Sequence, residues 1–278
     1  MATPIEPVLA DPPPLPRPHL LSQRWLDVAF LHWAVDPGAV RHLLPAGVSP
    51  DVLDGRTYVG LVPFRLVGTA FAGGPPVPWA GTFLETNVRL YSVDATGRRG
   101  VVFLSMAAER AAAVAAGRAV FGLPYRWARM GFRHQGELRT YVARLVRPGP
   151  PVRSRVSVRP TGPAIDGPLE RFLTARWGLH VAHLGRTWYL PNTHVTWPLR
   201  RAEVHELDDG LLAAAGLGDL ARRPPDHAAF SLGVAATFGR PLLASTPRPR
   251  PGDRPRRTGW SLGRLPESTC SDRRAPSE

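Results

Sequence analysis

Thr82 to Tyr91 reads TFLETNVRLY, and its apolar and polar side chains alternate with the period of two that marks a β-strand. Leu84, Thr86, Val88 and Leu90 fall on one face; Glu85, Asn87, Arg89 and Tyr91 fall on the other. The second face aligns a carboxylate, an amide, a guanidinium and a phenol over roughly 20 Å, at a strand rise of about 3.3 Å per residue. Gly97-Arg98-Arg99-Gly100 then supplies a turn into VVFLSM (Val101 to Met106), which predicts a hairpin. That second strand is apolar on both faces, so the sheet is expected to be covered on both sides. Two readings of the polar row stay open. It is a solvated sheet face with cross-strand ion pairs, or it lines an enclosed barrel in which Arg89 grips a carboxylate with its bidentate fork and Glu85 serves as acid or base.

Working outward, Trp25 to Val35 (WLDVAFLHWAV) reads as a strand, and Asp36-Pro37 as the N-cap and first residue of a short helix that Pro45 ends. Strands are predicted over Arg56 to Val67, Leu138 to Val146 and Val152 to Arg159, with two or three more between Leu179 and Leu207. Ala107 to Val120 is alanine-rich and predicts a helix broken by Gly122 and Pro124. Gly167-Pro168 opens another, with Leu169, Phe172, Leu173 and Trp177 on a common face. Many strands, two or three short helices and no regular βαβ alternation predict a mainly β (α+β) architecture, an antiparallel barrel or sandwich. Residues 1–20 form a proline-rich leader and residues 241–278 an Arg/Pro-rich tail. Proline at the leader's density holds neither a helix nor a central strand, and the tail has too little apolar surface to offset its ordering entropy. Both are therefore expected to be disordered, leaving 21–240 as one folded domain.

Composition removes several function classes. The chain contains no lysine, so all 35 of its Lys+Arg residues are arginine and no side-chain amine is available. The net charge of +13 suggests a polyanion, but it is spread along the chain with its clearest excess in the tail, so nucleic acid is not the expected partner. One cysteine, Cys270, excludes an internal disulfide framework. No apolar run approaches the roughly 20 residues of a membrane span, and the N-terminus lacks a basic-then-apolar signal pattern. A cytoplasmic protein without a membrane partner is expected, and self-association stays open. His180-x-x-His183 and the adjacent His205-Glu206 supply metal-ligand types, but on strands both pairs diverge to opposite faces, so no metal is expected. No dinucleotide fingerprint, phosphate loop or Gly-x-Ser-x-Gly elbow is present, and no cofactor is expected. His194, in NTHVTWP, is either a cavity acid/base or a structural histidine beside Trp197.

Six segments in this order carry a resemblance: LHWAVDPGAVRHLLP (31–45), Pro63-Phe64, ETNVRLY (85–91), AAGRAVFGLPY (115–125), PLERFLTARW (168–177) and HVTWPL (194–199). The chain resembles the YqjF-like family of uncharacterised bacterial proteins over about residues 21–240, and through it acetoacetate decarboxylase. The resemblance implies a cone-shaped, largely antiparallel β-barrel with a small-molecule cavity. In the decarboxylases the helix-ending segment reads approximately Gly-Arg-Glu, a few residues, then Gly-Phe-Pro-Lys-Lys; the first lysine forms the Schiff base and the second depresses its pKa. Gly117-Arg118 and Gly122-Leu123-Pro124 match, whereas Tyr125 falls at the nucleophile and Arg126 at its neighbour. A phenol cannot condense with a ketone to an iminium, and an arginine stays charged, so imine chemistry is excluded.

What survives is the cavity. Glu85, Tyr125 and His194 are its candidate catalytic residues, and Asn87, Arg89, Tyr91, Arg118 and Arg126 its candidate contacts to an anionic carbonyl or carboxylate compound. Glu85 moves a proton in this reading, and Tyr125 hydrogen-bonds the substrate's carbonyl or enolate oxygen. A raised Glu85 pKa with a ligand-sized cavity favours a lysine-independent enzyme; a cavity without a perturbed acid favours a binding or sensing module. A barrel plugged by its own side chains leaves only an interaction scaffold.

Overall fold

The computed structural model describes residues 4–218 and 220–244. Its strands are β1 (Leu21–Val35), β2 (Val48–Pro50), β3 (Thr57–Phe71), β4 (Phe83–Asp94), β5 (Arg99–Ala108), β6 (Tyr125–Gln135) and β7 (Leu138–Leu145). They continue with β8 (Arg153–Ile165), β9 (Gly178–His183), β10 (Arg186–His194), β11 (Leu199–Asp209), β12 (His227–Phe238) and β13 (Leu242–Leu243). Four short helices join them: α1 (Pro37–Val40), α2 (Ala111–Phe121), α3 (Pro168–Thr174) and α4 (Leu211–Ala214), the last in a segment where no helix was expected. Asp36 caps α1 as predicted, its Oδ1 accepting from Gly38 N at 2.7 Å. Among the described residues, no helix is long and apolar enough to cross a membrane.

All the strands belong to one strongly curved sheet. The β4–β5 hairpin forms as predicted, with Gly97 in the left-handed region (φ 85°) of its turn. Two strands split their second edge between partners. β12 pairs with β11 near Ser231 and with β10 near Phe238, while β5 pairs with β6 through Met106 to Ala108 and with β9 at Val101 alone. The sheet therefore wraps two compartments that share β12, β1, β3, β4 and β5 as a common wall. Its closure through β5 is thin, so it is a curved sheet rather than a strictly closed barrel.

Pairing is not antiparallel throughout. Both β5–β6 and β5–β9 are parallel. The helix α2 is the cause for the first, because a crossover helix returns the chain in its starting direction, making one local βαβ unit. The same unit corrects the start of that helix: Ala107 and Ala108 are not helical but complete β5, paired to Thr86 and Glu85. β6 and β12 were not anticipated.

The alternation of each wall strand sorts its side chains between the two compartments. Ala29, Leu31 and Trp33 of β1, Val59 and Leu61 of β3, and Val88 and Leu90 of β4 turn into a packed apolar core shared with β6, β7, β8 and α4. The alternate residues Val28, Phe30, Val62, Phe64, Glu85, Asn87 and Arg89 turn the other way, into a cavity. Glu85 is 2 % exposed and Asn87 5 %, so the solvated-face reading of the polar row is overturned.

Two expectations at the chain ends need correction. Residues 4–20 carry no helix or strand but are tied to the domain: Arg99 donates to Glu6 O at 2.6 Å, Trp177 Nε1 to Leu9 O at 3.2 Å, and Thr196 Oγ1 to Ala10 O at 3.0 Å. Backbone acceptors fasten this leader together with a few apolar side chains, Val8 against the Phe172 cluster and Leu15 beside Gly239, which its proline-rich composition does not reveal. At the other end, Leu242 and Leu243 pair with Tyr189 and Trp188 as β13. The rest of the expected tail, with Cys270, lies outside the described residues.

Candidate functional site

The cavity encloses about 390 Å³, within the range of small-molecule sites. Its wall is mostly aliphatic and aromatic, with Glu85, Asn87, Arg89, Tyr125, Arg176 and His194 among its few polar groups. Along the β3–β4 face the register orders it: Gly60 lies opposite Arg89, Val62 opposite Asn87, Phe64 opposite Glu85 and Leu66 opposite Phe83. Beyond Leu66 the lining reaches Phe71, which is 52 % exposed at the rim.

Glu85 is the perturbed acid of this cavity. Desolvation raises its carboxyl from 4.5 to about 7, only partly opposed by hydrogen bonds from Tyr125 and Asn87. Tyr125 Oη donates to Glu85 Oε2 at 2.9 Å, and burial together with the Glu85 charge holds that phenol well above its ordinary pKa. The phenol's one proton is thus given to Glu85, whereas the sequence reading gave it to a substrate oxygen. The Tyr125 ring is seated by Gly117 of α2, where an added Cβ would lie 2.5 Å from Tyr125 Cδ2. Gly122, the αL C-cap of α2 (φ 66°), then turns the chain toward β6 and this tyrosine.

Arg89 lies four residues farther along β4. Its side chain crosses Gly60, where an added Cβ would meet Arg89 Cγ at 3.1 Å. Its Nη2 donates to Tyr91 Oη at 3.0 Å and to Leu173 O at 3.0 Å, and Nε donates to Tyr91 Oη at 3.2 Å. Among the described residues no carboxylate lies within ion-pair distance of this guanidinium. Arg176 presents a contrasting case. It is 4 % exposed, and the buried carboxylate of Asp51 pairs it at 2.5 Å while also pairing Arg99. Asn87 Oδ1, Asn192 Oδ1 and Arg176 Nη2 all line the cavity and are buried without a hydrogen-bond partner among the described residues. Such groups are costly unless something polar meets them.

Tyr91 does not line the cavity. It is fully buried behind Arg89 and begins a polar chain: Tyr91 Oη lies 2.7 Å from His32 Nε2, His32 Nδ1 lies 3.1 Å from His227 Nδ1, and His227 Nε2 lies 3.5 Å from Glu170 Oε1. Burial, with His227 and Arg89 adding their charge, depresses His32 well below the usual imidazole value. Tyr91 thus supports Arg89 rather than touching a ligand. Arg118 and Arg126 are also corrected. Both are exposed, and Arg118 lies on the outer side of α2 with Val114 and Trp127. The helical period that brings Gly117 against Tyr125 turns Arg118 away, and Arg126 follows Tyr125 on a strand, facing oppositely.

His194 does line the cavity. Its Nδ1 lies 2.7 Å from Val195 O, and its ring packs against Trp177, Trp197 and Trp25 at centroid distances of 4.6, 5.3 and 5.8 Å. Desolvation lowers it to about 4, so it is neutral at pH 7. With Nδ1–H given to a carbonyl, Nε2 is the acceptor of the tautomer. His180 and His183 diverge as predicted: His180 is buried against Ser92 Oγ at 2.9 Å, and His183 sits beside Gly122. His205 meets Glu203 while Glu206 meets Arg155, so these neighbours also part. The sequence reading missed Arg176, Asn192 and Trp25 as cavity residues. Arg176 and Asn192 stand in segments read for helix periodicity or strand propensity, and nothing local marks them as partners of β4.

Comparison with known proteins agrees with this architecture. The family model DUF2071, described as an uncharacterized conserved protein, matches residues 22–235. The uncharacterized protein YqjF of Bacillus subtilis (strain 168) is 30% identical over 187 residues, covering 66% of this chain and 76% of YqjF. Among solved structures, acetoacetate decarboxylase from Legionella pneumophila superposes with a TM-score of 0.60 at 13% identity, covering 84% of this chain and 92% of that one. The enduracididine biosynthesis enzyme MppR complexed with pyruvate gives 0.54 at 16% identity, covering 83% and 92%. These two likenesses show the fold. The sequence matches show more: the chain belongs to the DUF2071 family, alongside YqjF, on an acetoacetate decarboxylase-like fold.

Proposed function

We propose that the protein binds a small organic acid in the β4 cavity and that Glu85 moves a proton on it, as general acid and base, with no imine step. The observation that carries this reading is a carboxyl buried in an apolar, ligand-sized cavity and titrating near 7. Near neutral pH such a group is populated in both forms, so it both accepts and donates a proton at little cost. Tyr125 and Asn87 hold the carboxyl in place. Arg89, with no carboxylate partner among the described residues, supplies the charge that orients an anionic ligand. His194, neutral at pH 7, offers a hydrogen-bond acceptor rather than a cation. The absence of lysine excludes the covalent route through a side-chain amine. A protein of this fold, MppR, is found complexed with pyruvate, which supports a keto or carboxylate ligand here. The same reading takes the protein as cytoplasmic, with the small molecule as its partner.

The test is proton exchange. Pyruvate, 4-oxopentanoate and 6-oxoheptanoate are incubated with the protein in deuterium oxide, and loss of the signals adjacent to each carbonyl is followed by proton NMR. Exchange catalysed by the wild type and abolished in Glu85→Gln supports the reading. Ligand binding without exchange makes the protein a binding or sensing module, and neither binding nor exchange leaves the cavity without this function.

A further inference from the structure

Among the described residues, the cavity's one cation without a carboxylate partner and its perturbed acid are not neighbours. Glu85 and Arg89 share a face of β4, and four residues of strand separate their Cα atoms by about 13 Å. Their side chains then part. Hydrogen bonds from Tyr125 and Asn87 hold Glu85, whereas Tyr91 and the Leu173 carbonyl draw the Arg89 guanidinium toward the far end of the strand. No arginine charge offsets the desolvation of Glu85, as one would if the two groups lay within ion-pair reach. Between them the β3 side of the wall is apolar, with Val62 and Phe64 opposite Asn87 and Glu85, and Met106 of β5 flanks Asn87 on the other side. The space also exceeds a compact keto acid: 390 Å³ equals the liquid volume of about 13 waters, at about 30 Å³ each.

Resting on the function proposed above, we infer that the ligand is an elongated amphipathic monocarboxylate. Its anionic end sits at Arg89, an apolar stretch passes Val62 and Met106, and its reactive or polar group meets Glu85 several bonds away. A compact keto acid, with carboxylate and carbonyl adjacent, reaches one of these ends but not both.

The test is isothermal titration of the full chain with butanoate, hexanoate and octanoate, and with 1-octanol as the uncharged match. Each methylene taken from water into an apolar wall is worth about fourfold in affinity, so octanoate is expected to bind about two orders of magnitude more tightly than butanoate. Arg89→Gln is expected to weaken octanoate at least about tenfold, the loss of hydrogen bonds to a charged group. Val62→Phe, which keeps both polar ends and narrows the passage between them, is expected to weaken octanoate and spare butanoate. That variant also keeps the test valid if Arg89→Gln folds poorly. Butanoate and octanoate agreeing within twofold, or octanoate unaffected by Val62→Phe, overturns the elongated ligand while the anion site of the proposed function stands. If 1-octanol matches octanoate and Arg89→Gln changes nothing, or if no carboxylate binds, both readings fall.

Discussion

Replacing Glu85 by glutamine isolates the energetic consequence of burying an acid in this cavity. In the folded protein the carboxyl titrates at about 7, against 4.5 for the free side chain. Below pH 4.5 folded and unfolded chains both hold the proton and Glu85 carries no electrostatic penalty. As pH rises from 4.5 to 7 the unfolded chain releases its proton while the folded one keeps it, so stability is lost across that window and is not regained above it. At about 1.4 kcal/mol per pH unit of displacement, the full loss is about 3 kcal/mol. Glutamine still accepts the Tyr125 hydrogen bond and never ionises. Glu85→Gln is therefore expected to match the wild type at pH 4 and to exceed it by pH 8, by roughly 6–12 °C in Tm for a domain of this size. Thermal melts of both proteins at half-unit steps from pH 4 to pH 9 measure it. A difference that stays constant across this range refutes the reasoning, because it would mean that Glu85 ionises in the folded protein much as it does in the unfolded one.

Other perturbations follow from the same packing. Gly117→Ala places a methyl 2.5 Å from the Tyr125 ring, so that ring shifts off Glu85; the variant is expected to melt lower and to titrate Glu85 still higher, read by carboxyl carbon NMR. Asp51→Asn removes the charge that neutralises buried Arg176, at a cost of about 3–5 kcal/mol in urea unfolding, whereas Asp51→Glu restores part of it. Arg118→Ala, outside the cavity, is expected to leave octanoate affinity unchanged within twofold, and a larger loss places that arginine at the ligand after all.

The β4 strand was legible because its alternation separates two environments that both exclude water. Period two then sorts polar from apolar side chains as cleanly as it would at a solvent boundary, and only the neighbouring apolar strand distinguishes the cases. The α1 cap and the Gly97 turn were legible because each depends on a few adjacent residues. β6 escaped because arginines interrupt YRWARMGFR and face outward, and β12 because alanine and glycine, which carry little strand preference, make up five of the twelve residues of HAAFSLGVAATF and break its alternation. The β5–β6 parallel pairing depends on backbone contacts with no compositional trace, and the leader's attachment on its carbonyls and on single apolar side chains scattered among prolines. Within the site, Glu85, Asn87 and Arg89 came from one strand and were found together. Arg118 and Arg126 were carried by their nearness in sequence to Gly117 and Tyr125, which a turn of helix or a single strand step undoes. Arg176 finds Asp51 125 residues away, and His32 finds His227 195 residues away, separations that no local pattern encodes.

The chain from Tyr91 to Glu170 branches at the phenol. Arg89 only donates, so Tyr91 Oη must receive from it. That phenol has one hydrogen and two acceptors within reach, the Leu173 carbonyl at 3.0 Å and His32 Nε2 at 2.7 Å. Each imidazole, kept neutral by burial, has one hydrogen for two nitrogens. Given to Leu173, the phenol's hydrogen leaves His32 to donate to the phenol and to accept from His227; given to His32, it leaves His32 to donate to His227. The line therefore has two self-consistent proton arrangements over one set of heavy atoms. Arg89 donates to the phenol in both, so its place does not depend on which of the two is held.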